Sequence, residues 1–101
     1  MDRDALFQRL ESWIRWRFGD KVGSALVVAT GPRALPARVQ GWALQHRDAV
    51  WQFIWLDNAS VLCGLAPDGP EQYAVIQYSK EGVTTEDYFS YAGDGSWHRV
   101  T

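Results

Sequence analysis

The chain has 101 residues, of which 47% are apolar and 22% charged, and its formal net charge is −2. That length is the common size of one domain, expected to span 1–101, and the composition excludes disordered, collagenous and membrane-embedded classes. The start, Met1-Asp2-Arg3-Asp4, lacks the cationic region and apolar stretch of a secretory signal. The longest apolar runs, 25–29 and 53–56, fall far short of the roughly 20 residues that span a bilayer, so no membrane contact is expected.

Residues 4–18 place Leu6, Leu10, Trp13, Ile14 and Arg17 at helical spacing, with Phe7 and Phe18 widening the stripe, which predicts an amphipathic helix. Asp2 or Asp4 suits its N-cap, Glu11 and Arg15 form an i,i+4 pair of favourable order, and Gly19 stands where a glycine ends a helix.

Beyond Gly19, β-branched and aromatic residues rise and Gly, Pro, Asp and Asn break the chain into short runs, the pattern of strands. The first strand is expected over 22–30, closed by Gly31-Pro32, and a second over 38–46. Arg47-Asp48 would turn the second into a third over 50–57, Val-Trp-Gln-Phe-Ile-Trp-Leu-Asp, as a hairpin. Asp57-Asn58 leads into 61–65, Pro67-Asp68-Gly69-Pro70 turns again, and 72–79 is a further strand. Over 85–92 the pattern fits a short helix or a strand, and the strand reading is preferred because Ala92-Gly93-Asp94-Gly95 then leads into 96–100 as a closing hairpin. The expected fold is therefore α+β, an N-terminal amphipathic helix on a curved antiparallel sheet of five to seven strands. Its connections are too short for parallel crossovers.

Strand alternation gives this sheet two apolar faces. In 50–56, Trp51, Phe53 and Trp55 point one way, and Val50, Ile54 and Leu56 the other, interrupted by Gln52. In 72–79, Ala74, Ile76 and Tyr78 oppose Tyr73 and Val75, and in 38–46 Trp42 and Leu44 oppose Val39 and Ala43. One helix of about 15 residues, roughly 22 Å long, cannot hide both faces. The second face must be shielded by curling into a half-barrel around a pocket, by packing against another subunit, or by a partner or ligand. The candidate ligand or partner face is Trp42, Trp51, Phe53, Trp55, Tyr73 and Tyr78, drawn from a chain with six tryptophans.

Catalytic motifs are weaker. Cys63, the only cysteine, lies mid-strand away from any helix N-terminus, which suits an inert buried thiol and a reducing, cytoplasmic setting. His46 and His98 are too far apart to suggest a metal pair, and no cofactor pattern occurs. Glu81, Glu86 and Asp87 read as a solvated acidic rim. Residues 1–50 carry eight Lys or Arg against five Asp or Glu, and residues 51–101 two against seven. Helix arginines 3, 9, 15 and 17 leave a weak nucleic-acid binder as one option, but the acidic second half opposes it.

The closing Asp94-Gly95-Ser96-Trp97-His98-Arg99-Val100 resembles the last hairpin of the nuclear-transport-factor-2-like superfamily. The likeness covers about seven residues and implies a curved sheet around a pocket. The expected function is a small non-enzymatic interaction protein whose aromatic sheet face takes a protein partner, a second copy in a homodimer, or a small apolar ligand. The alternative is a pocket protein or enzyme with a half-barrel cavity.

Overall fold

The computed structural model describes residues 2–20, 23–27, 35–56, 59–79, 81 and 83–100. Its elements are α1 (Arg3–Phe18), β1 (Gly23–Val27), α2 (Ala37–Gln45), β2 (Val50–Leu56), β3 (Ala59–Pro67), β4 (Gln72–Ser79), β5 (Thr84–Tyr91) and β6 (Trp97–Arg99). The six strands form one antiparallel sheet in the order β1-β2-β3-β4-β5-β6. The sheet is open, and a helix lies on each face.

The N-terminal helix forms as its periodicity predicts. Asp2 is the N-cap, its carboxylate accepting from the Ala5 N–H at 2.7 Å, and Gly19 ends the helix with φ +89°, donating to the Arg15 carbonyl at 2.8 Å. Leu6, Leu10, Trp13 and Ile14 form the buried stripe. They meet Val50 and Ile54 of β2, Val61, Cys63 and Leu65 of β3, Tyr73 and Val75 of β4, Phe89 of β5 and Trp97 of β6 in one core. Strand 85–92 is confirmed in substance by β5, and 96–100 by β6. The turns expected at Gly31-Pro32 and Asp57-Asn58, and the end of the strand expected over 22–30, lie outside the described residues.

The strand expected over 38–46 is a helix, α2, and the hairpin expected at Arg47-Asp48 is a helix-to-strand turn. The physical reason is visible in the residues. Val39, Trp42 and Ala43 stand at i, i+3 and i+4 and are the buried positions of α2, the spacing of one helical face. Val39 is the only β-branched residue in Ala37–Gln45, and Pro36 at the N-cap presets the backbone without needing a donor. Trp42 and Leu44, paired on one strand face in the sequence reading, fall on different sides of the helix: Trp42 is buried and Leu44 exposed. Consequently β1 pairs directly with β2, with Gly23 opposite Trp55, and α2 is an excursion between them.

That excursion supplies the second cover. Leu35, Val39, Trp42 and Ala43 pack with Ala49, Trp51, Leu62, Ala66, Ala74 and Ile76 in a second core on the face away from α1. The shielding devices expected from the sequence, a curl, a subunit or a ligand, did not include this one.

Candidate functional site

The geometry of the second face decides what remains available for a partner. Neighbouring strands lie about 4.8 Å apart, so six strands spread over roughly 24 Å, whereas a helix with its side chains is about 10 to 12 Å across. At nine residues, α2 packs over residues of β2, β3 and β4 on this face. Trp51 lies against Trp42, ring centroids 5.4 Å apart and nearly perpendicular, and His46 meets Trp42 at 4.4 Å with the rings tilted by 37°. Beneath Trp51 the sheet offers Gly64, directly across in register, and a Cβ built there would stand 2.6 Å from the indole. The ring therefore rests on bare backbone, which lets α2 approach.

Beyond α2 several side chains of the same face are half-buried or exposed. Register places Phe53 beside Leu62, Leu62 beside Tyr78, and Tyr78 beside Thr84. Phe53 and Tyr78 are half-buried against the α2 core, and Trp55, one step further along β2, is 51% exposed. On the far side of α2, Tyr88 of β5 is 47% exposed and pairs with Ala74, and the Val100 N–H donates to the Tyr88 carbonyl at 2.8 Å. Trp55, Phe53 and Tyr78, and beyond Glu86 Tyr88 with exposed Val100, thus make up an aromatic crescent on this face, interrupted at Glu86.

The sequence-named face is split by the structure. Trp51, Phe53, Trp55 and Tyr78 share the second face, and Trp42 joins them from α2 instead of from a strand. Trp42 and Trp51 are buried against each other, so their aromatic surface is spent on the core. Tyr73 belongs to the opposite face, where its hydroxyl accepts from Arg9 Nε at 3.1 Å and its ring meets Trp97 edge to face. The exposed residues Tyr88 and Val100 were not singled out from sequence. Alternation along 84–91 puts Thr84, Glu86 and Tyr88 on one side, but only the pairing of β5 with β4 says which side that is.

Around Arg9 the halves of opposite charge meet. Its guanidinium stacks on Tyr91 at 3.9 Å and reaches Glu71 at 3.5 Å, so one basic helix residue is consumed by an acidic partner from the second half. Arg15 pairs with Glu11 at 3.7 Å and Arg99 with Asp87 at 3.6 Å. Asp94 takes both the hydroxyl and the N–H of Ser96, which hold its carboxyl below the ordinary carboxylate range and fix the β5-β6 turn.

Cys63 is buried in the α1 core, and burial pushes its thiol up to about 12, with the charge of Arg17 pulling the other way. Such a thiol stays protonated and unreactive at neutral pH. Gln52, on the same face and across from Cys63, is 5% exposed, and its carbonyl oxygen has no hydrogen-bond partner among the described residues. Among the described residues no group of three or more His, Cys, Asp or Glu is placed to hold a metal. No described helix is long and apolar enough to cross a membrane. Comparison with family models, curated proteins and solved structures returned no match to this chain.

Proposed function

We propose that this chain is a small non-enzymatic interaction protein, and that a protein partner docks on the aromatic crescent left bare around α2. The observation that carries this reading is Trp55: a tryptophan half open to water at the end of an apolar row in which Trp51 is core and Phe53 half-buried. Large apolar side chains that face solvent on one sheet face are the usual mark of a contact surface, and Trp is among the residues most enriched in interface hot spots.

A partner must reach beyond the exposed rings themselves. A stable interface removes about 800 Å² from each side, some eighth of the 6136 Å² surface of this chain, and a few half-exposed rings supply only a fraction of that. The lone buried Cys63 suits a reducing compartment, which supports a cytoplasmic setting for the interaction.

Replacing Trp55 by Ser tests the reading. The side chain is already half hydrated, so the variant should keep its melting temperature within a few degrees, while binding of an apolar-surface dye falls several-fold. Unchanged dye binding with an unchanged fold would show that the crescent is not the accessible apolar surface and would remove the reading.

A further inference from the structure

The bare strip of the crescent along β5 has a chemistry of its own. Cross-strand register sets Thr84 beside Tyr78, Glu86 beside Ile76 and Tyr88 beside Ala74, so Thr84, Glu86 and Tyr88 all face the side of the sheet that α2 occupies. The strip runs for about 14 Å at 3.4 Å per residue, the length of roughly nine residues of helix. Glu86 is exposed, stands between the two tyrosine rows, and has no ion pair or hydrogen bond among the described residues.

Asp87, next in sequence and on the opposite face, by contrast has Arg99 at 3.6 Å. A single unanswered carboxylate flanked by tyrosine rings attracts a cation twice over, through charge and through the negative faces of the rings. Tyr88 and Val100 beside it call for apolar side chains. His98, which register places across from Ser90 on the same side, would oppose a cation when protonated.

Resting on the docking surface proposed above, we propose that its occupant is a cationic amphipathic helix of a partner protein, laid over β5 beside α2 with a Lys or Arg on Glu86 and apolar residues on Tyr88, Val100 and Tyr78. Helix is the conformation that covers a sheet face, as α1 does on the other side of these same strands. The partner's positive charge and its apolar stripe are both required, because neither half of the strip alone offers enough contact.

The test uses the full chain and two fluorescein-labelled helical peptides of about 14 residues, four turns, one of Leu and Lys and the other with every Lys replaced by Gln. Fluorescence anisotropy should show the Lys peptide binding about fivefold tighter than the Gln peptide, the size of one partly exposed ion pair. Glu86→Gln should erase that preference while leaving the Gln peptide unaffected, and Tyr88→Ser should weaken both.

Equal binding of the two peptides, or a preference that survives Glu86→Gln, overturns the cationic partner while the docking surface stands. Absence of binding by either peptide overturns both. Each variant lies at an exposed position, and a circular dichroism spectrum matching the parent keeps a folding defect from standing in for lost binding.

Discussion

Gly64→Ala is the sharpest probe of how the second layer is held. Gly64 sits in β3 with ordinary extended backbone, so alanine is conformationally allowed and, by restricting the unfolded chain, would by itself stabilise by about 0.4 to 1 kcal/mol. The added methyl, however, would lie 2.6, 2.8 and 2.9 Å from three carbons of the Trp51 six-membered ring. Those distances are well inside contact, and Trp51 is buried and packed against Trp42 at 5.4 Å, which limits how far its ring can shift. Overpacking of this kind costs about 1 to 3 kcal/mol, so the net expected loss is roughly 1 to 2 kcal/mol, a fall in Tm on the order of 5 to 10 °C for a domain of this size.

Thermal and urea denaturation would measure it, and a double-mutant cycle identifies the cause. In a Trp51→Phe background the ring that meets the methyl is smaller and shorter in reach, so adding Gly64→Ala should cost little or become favourable, giving a coupling of about 1 kcal/mol or more. A Gly64→Ala protein as stable as its parent, or additive effects in the cycle, would refute the account of a tryptophan seated on bare backbone.

Two further outcomes follow from the α1 core. Gln52→Met should raise stability by about 1 kcal/mol, since it replaces a buried carbonyl oxygen lacking a partner with an apolar group of similar length, and a lower Tm would mean that the amide is satisfied in solution. The Cys63 thiol holds its proton up to about 12 in the folded chain, against 9.0 for an unperturbed thiol, so its contribution is complete at neutral pH and is lost as pH rises across that window. The parent should therefore lose stability above pH ~9 more steeply than Cys63→Ala, by up to about 4 kcal/mol, and parallel curves for the two proteins would contradict the burial of the thiol.

How far the sequence led depends on which residue is considered. Leu6, Leu10, Trp13 and Ile14 announce α1 because their period is helical over four turns and caps stand at both ends. Residues 50–79 announce strands because apolar runs are separated by turn residues at short intervals. Residues 37–45 mislead for a physical reason: two turns of helix give too few periods to separate a spacing of 3.6 from one of 2, and Trp and Val in the run tilt the propensity toward strand. Trp42 therefore belongs to the cover laid over Trp51 and not to a strand face open to a ligand. Phe53, Trp55 and Tyr78 were legible by alternation alone, whereas Glu86 and Tyr88 needed the β4-β5 register, which is set by long-range pairing.

Every ladder from β2 to β6 joins strands that follow each other in the chain through tight connections, whereas β1 must find β2 across the whole span from Val27 to Val50 that carries α2. Closing that larger loop costs more chain entropy than any other step in the sheet, and β1 has only one neighbour among the described strands to repay it. The meander can therefore zip up first from the C-terminal side, leaving the Gly23–Val27 segment to dock last and to peel away most readily.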